Sequence, residues 1–211
     1  FIDWSMELER NGQVTALNAI FVAALRSFRW VAHHLGQPDL AADCDTIANS
    51  VSDAINSLLY VQERSLYSDA RVNGVVSDRC SQQTNAAVIA FDIAPESRRD
   101  GMLDAVTDPG RVVLPRAWSH DTAREFDPVV HVAMAQPFFS HYVHAALAAE
   151  GRINEVLSSI RERWLPMARV NGTIWEHWQN TPATSLCHPF SCSPMYDLVA
   201  YSAGVFCQCS Q

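Results

Sequence analysis

Apolar residues recur along 14–36 at Leu17, Ile20, Phe21, Ala24, Leu25, Phe28 and Val31. This i, i+3, i+4, i+7 spacing predicts a long helix with one broad apolar face directed at the core. Gly36 supplies a C-terminal stop and Pro38 prevents continuation. Asp39 then caps a second helix over 40–62, with Ala42, Ile47, Val51, Ile55, Leu58 and Leu59 inward. Two such helices and a short turn predict an antiparallel hairpin.

Further on, 66–79 reads as loop or short strand, and Ser81 or Gln82 opens a helix over 83–93. Pro95-Glu96 starts another at 95–106. Residues 108–135 carry Pro109, Gly110, Pro115 and Pro128 with no clean period, which predicts a long excursion. Helices follow at 137–150, capped by Gly151, and at 152–168; Ser193-Pro194 opens a last one at 194–206. The expectation is an all-α chain of paired helices without a strand-rich stretch. Periodicity alone leaves bundle, solenoid and closed toroid open.

Composition narrows the function classes. The chain has 211 residues, and its 23 acidic residues outnumber 15 basic ones, giving a net charge of −8. Every basic residue is Arg. A scattered acidic surface does not suit nucleic acid, which needs clustered positive charge. No apolar run reaches the roughly 18 residues of a membrane span. FIDWSMELER has neither the basic region nor the apolar core of a signal peptide. It starts without Met, so residue 1 is expected to follow a cleavage or an imposed boundary. Cysteine usage leaves the compartment open between cytoplasm and exterior, and the Asn171-Gly172-Thr173 sequon would matter only in a secreted eukaryotic protein.

The densest chemistry lies in 171–194, NGTIWEHWQNTPATSLCHPFSCSP. Glu176 sits between Trp175 and His177, with Trp178 next. A carboxylate beside large aromatic surface can be partly desolvated and tuned for acid–base work. Aromatic faces beside it suit sugar rings. The plainer alternative is a helix-terminal Glu among core tryptophans. Cys187-His188, Cys192, Cys207 and Cys209 make a poor zinc set, because no CxxC or HxxxH knuckle is present. His141 and His144 share a helix face, a weak metal pair. No GxSxG, Walker loop or GxGxxG occurs, so nucleotide and Ser-His-Asp hydrolase readings have no motif to anchor them.

GTIWEHW followed by SLCHPFSCSPMYDL resembles the C-terminal part of the catalytic domain of bacterial and fungal α-L-rhamnosidases. FIDW at 1–4, SQQTNAAVIAFDI at 81–93, QPFFSHYVHAAL at 136–147 and RWLPM at 163–167 are similar to further family segments, in the expected order. The resemblance implies an (α/α)6 toroid of helical hairpins, of which 1–211 would be the C-terminal half or so, with the N-terminal part absent. It implies an inverting glycosidase acting on terminal α-L-rhamnose without cofactor or metal. Glu176 would be the general base, and the general acid would lie upstream of Asp3-Trp4. Trp175, Trp178, His188, Asp3 and Trp4 would bind substrate. The partner would be a rhamnose-containing glycoside or polysaccharide. A part-toroid would expose apolar helix faces, so the missing segment or self-association is expected to cover them.

Two features depart from the family pattern. Pro189-Phe190 stands where Gly or Ala and then Trp are usual, and 108–135, with Trp118, His120, Asp121, Glu125 and Asp127, is longer than expected. The alternatives are another sugar enzyme on the same toroid, an epimerase or an unsaturated-uronyl hydrolase, or a catalytically inactive carbohydrate-binding or assembly relative.

Overall fold

The computed structural model describes residues 2–114, 125–181 and 184–205. Trp118, His120, Asp121, Cys207 and Cys209 lie outside them.

The first hairpin is α1 (Thr15–His34) and α2 (Pro38–Leu58). Gly36, at φ +67°, lets the chain reverse between them. The face that α1 buries is not the one its large apolar residues predict. Ala16, Ala19, Val22 and Ala32 are buried, whereas Leu17, Phe21, Phe28 and Val31 are 39–49% exposed. On α2 the buried set is Ala41, Cys44, Ala48, Ser52 and Ile55, and Ala42, Ile47 and Leu58 are exposed. Small side chains let the two backbones approach closely, so the Ala-rich seam becomes the contact. The bulky residues are left outside, together with Trp30, Leu35 and Leu40.

α3 (Gln82–Ala90) is the central helix: Gln83 through Ile89 are all buried. It packs against α1, α4 (Glu96–Thr107) and α5 (Ser140–Ala149). Ser81 caps it by accepting a 3.1 Å hydrogen bond from the Thr84 amide. α5 returns through α6 (Ile153–Ser159), which runs on through a wide π-helical stretch, Ile160–Trp164, into α7 (Leu165–Asn171). Pro166 explains the wide stretch: it has no amide proton and its ring crowds the preceding turn, so the helix widens rather than breaks. The last helix, α8 (Ser193–Asp197), also passes into a π-helical stretch, Leu198–Ser202.

The all-α expectation needs one correction. Strands of two or three residues form small sheets: β1 (Gln13–Val14) with β4 (Ala70–Val72) and β5 (Val75–Val76), and β2 (Tyr60–Val61) with β3 (Leu66–Tyr67). A third, parallel set places β8 (Val132–Ala133) between β6 (Cys80–Ser81) and β7 (Val112–Val113). That set pins the 108–135 excursion to the start of α3. It delivers Met134, Ala135 and Gln136 to the same end of the helix layer as Gln82 and Gln83.

Candidate active site

Asp3 is the anchor of this end of the molecule. Its carboxylate accepts from the Gln136 amide (2.8 Å), from Gln83 Nε2 (2.8 Å) and from the Trp4 amide (2.8 Å). Burial is the dominant influence and pushes its pKa to about 6, although these bonds and Arg10 pull the other way. Gln136 spreads the order outward. Its Nε2 donates to the Trp4 carbonyl (3.1 Å) and its Oε1 accepts from the Trp178 amide (3.1 Å). Trp178 is fixed at its other end, where Nε1 donates to the Ala135 carbonyl (2.6 Å). Its ring meets Trp164 edge-on at 4.6 Å, and the Arg163 guanidinium lies over it at 5.5 Å.

A second buried carboxylate, Asp69, supports the α3 cap. It accepts from Ser81 Oγ (2.6 Å) and Thr84 Oγ1 (2.7 Å), and burial pushes it up to about 6 as well.

Glu176 stands beside this frame on a loop that its own backbone closes. Its amide donates to the Ser185 carbonyl (2.9 Å), and the Ser185 amide lies 3.4 Å from Glu176 Oε2. The side chain is half-buried. Next to it, His177 is buried with its ring edge-on to Trp4 at 5.8 Å, and neither ring nitrogen has a hydrogen-bond partner. Burial holds His177 below the ordinary histidine range, against the pull of Glu176, so the ring is neutral near pH 7. The His188 amide donates to the Ile174 carbonyl (2.9 Å), which ties the Cys-His segment to the Glu176 loop. Its half-buried ring lies 5.9 Å from Phe190. Trp175 is buried, and its Nε1 donates to Asn171 Oδ1 (3.1 Å).

The structure therefore links Asp3, Trp4 and Trp178 through Gln136, with His177 against Trp4 and Glu176 adjacent in the chain. Gln83, Gln136 and His177 lie in SQQTNAAVIAFDI, QPFFSHYVHAAL and GTIWEHW, but none was singled out as a site residue from the sequence. The one available signal was their position, at the start of a helix or inside the Trp-Glu segment. His141 and His144, the weak metal pair of the sequence, both bond to Asp197, at 3.1 and 2.7 Å. Cys44, Cys80, Cys187 and Cys192 are free thiols.

No protein-family model matches the sequence, and no curated protein sequence matches it. Solved structures do. A GH78-family rhamnosidase of Bacillus sp. GL1 aligns over 95% of this chain with a TM-score of 0.76 and 25% identity. A rhamnosidase from Klebsiella oxytoca, solved with rhamnose bound, aligns over 97% with a TM-score of 0.72 and 19% identity. The chain spans 20% of the first of these proteins and 36% of the second. In three dimensions, as GTIWEHW and SLCHPFSCSPMYDL lead one to expect, the chain resembles part of the GH78 α-L-rhamnosidases over nearly its whole length.

Proposed function

We propose that this chain forms part of an inverting α-L-rhamnosidase in which Glu176 is the general base. The observation that carries the reading is the placement of Glu176. It is a half-buried carboxylate on a backbone-closed loop, beside the Trp4–Gln136–Trp178 frame, in a chain whose fold matches rhamnosidases. The helices are read as part of an (α/α)6 toroid, with its remaining hairpins and the general acid on segments outside 1–211.

In this mechanism Glu176 removes a proton from water as that water attacks the anomeric carbon. The acid protonates the departing oxygen from the opposite face. Inverting pairs hold their carboxyl groups roughly 6.5–9.5 Å apart to admit the water. Trp178 and Trp4 offer ring surface to the sugar, with Trp175 bracing the loop behind them. His188 bonds a hydroxyl, and Asp3 holds Trp4 in place through its amide. The substrate is a glycoside or polysaccharide ending in α-L-rhamnose.

Glu176→Gln keeps the shape and removes the base. In the complete protein that carries this chain, kcat on an aryl α-L-rhamnoside is expected to fall at least 100-fold with KM changed little. Turnover close to that of the unaltered protein would remove Glu176 from the chemistry.

A further inference from the structure

A second arrangement of catalytic type, made of residues other than those around Glu176, joins α5, α6 and α8. Asp197 is fully buried. Its Oδ2 accepts from His144 Nδ1 (2.7 Å) and its Oδ1 from His141 Nδ1 (3.1 Å). Burial would raise the carboxyl, but the two imidazoles outweigh it and hold Asp197 below its ordinary range. It is therefore an anion, and the His144 proton sits on Nδ1. That leaves Nε2 as an acceptor, 3.1 Å from Ser159 Oγ. Nucleophile, base and orienting carboxylate thus stand in hydrogen-bond sequence.

Two further features separate this from a buried histidine that merely satisfies its nitrogens. Ser159 lines a cavity of about 420 Å³, whose apolar wall includes Val112, Met134, Val143 and Leu147. Arg163, one helical turn along, lines the same cavity together with Glu155 and Glu162, its guanidinium lying over Trp178. Moreover, Ser159 and Asp197 each immediately precede a π-helical stretch, Ile160–Trp164 and Leu198–Ser202. Such stretches are rare and concentrate at functional sites.

We infer that Ser159, His144 and Asp197 form an acyl-transfer site that cleaves small carboxylic esters seated in this cavity. Ser159 Oγ attacks the ester carbonyl carbon as its proton passes to His144 Nε2. The C–O bond to the alcohol breaks, and the alcohol leaves with the proton from Nε2. Water, deprotonated by His144, then releases the carboxylic acid and restores Ser159. Arg163 faces the oxyanion, and Asp197 and His141 position His144 without taking up its proton. The apolar wall fits a short, uncharged acyl group.

The test uses the full chain and needs no rhamnoside. The folded protein is treated with an alkyl fluorophosphonate, which transfers its phosphonyl group to an activated serine with loss of fluoride, and the adduct is located by peptide mass spectrometry. The expected adduct is on Ser159 and not on Ser158, which lines the same cavity. Ser159→Ala is expected to abolish labelling and His144→Gln to slow it about 100-fold, with matching losses of 4-nitrophenyl acetate hydrolysis. Equal labelling of Ser158 and Ser159, or none on either in protein with a cooperative melt, would overturn the inference. Because Ser159→Ala removes a single hydroxyl of a half-buried residue and leaves the His144–Asp197 bond in place, its melt reports folding independently of the His144 variant.

Discussion

The frame around Asp3 and the outer hairpin α1/α2 are built on opposite plans. Around Asp3, Gln83, Gln136, Trp4 and Trp178 are cross-linked by hydrogen bonds between segments 42 to 133 residues apart; Asp3, Gln83 and Gln136 are buried, and Trp4 and Trp178 half-buried. In the hairpin, a seam of Ala, Cys and Ser does the packing, and Phe21, Phe28, Trp30 and Ile47 face outward. The contrast teaches where the chain is internally complete. A buried polar group without a partner is costly, and the carboxylate of Asp3 and the side-chain amide of Gln136 find theirs within the chain, whereas Gln83 Oε1 and the His177 ring nitrogens do not. Apolar helix faces tolerate exposure at a cost in association, so the hairpin can present a broad strip to something else.

The largest effect on stability is expected in the frame. Gln136→Ala removes the donor to the Trp4 carbonyl and the acceptor of the Trp178 amide. Leaving two backbone groups unpaired should cost about 2–4 kcal/mol in urea unfolding. A loss below about 1 kcal/mol would mean that the frame is not the rigid element described here.

Next comes the pH response of Asp3. Its folded pKa of about 6 exceeds the ordinary 3.8. The folded state therefore disfavours the charged form. The Asp3 contribution is intact below pH 3.8, declines as pH rises to about 6, and stays lost above that. The full loss is on the order of 3 kcal/mol. His177 works in the opposite sense, since its depressed pKa removes stability as pH falls below 6.5. The stability difference between wild type and Asp3→Asn, followed from pH 4 to 8, isolates the first effect. A difference that does not change with pH would contradict the burial of that carboxylate.

The hairpin should answer differently on its two faces. Ala19→Leu inserts bulk into the seam and is expected to cost about 1–3 kcal/mol. Phe28→Glu, on the exposed strip, should stay within about 0.5 kcal/mol while reducing self-association in sedimentation velocity. Equal destabilisation by both variants would collapse the distinction between the regions.

How much of this was legible in the sequence follows from the same physics. Helix positions were readable, because Gly36, Pro38 and Ser81 punctuate clear 3.6-residue periods. The buried face of α1 was not. A hydrophobicity pattern weights Phe and Leu above Ala, whereas close helix contact rewards the smaller side chain. The strands at Leu66–Tyr67, Ala70–Val72 and Val75–Val76 fall in the stretch read as loop or short strand, whereas those at Gln13–Val14, Tyr60–Val61 and Cys80–Ser81 escaped because two-residue pairings leave no alternation to read. Glu176 and its tryptophans stood out as a dense aromatic–acidic cluster, and the rhamnosidase resemblance carried through to the fold. Gln83 and Gln136 did not stand out, since an amide earns its role only from the partners the fold gives it. Likewise, Asp197 gained two histidines across more than 50 residues of sequence.

The most direct test of Glu176 as general base is azide rescue of Glu176→Gly in the complete protein, with an aryl α-L-rhamnoside as substrate and the sugar product followed by proton NMR. The account predicts that azide, entering where the activated water stood, restores aryl release and yields the β-configured rhamnosyl azide. No rescue alongside undiminished hydrolysis, or an azide product that retains the α configuration, would contradict it.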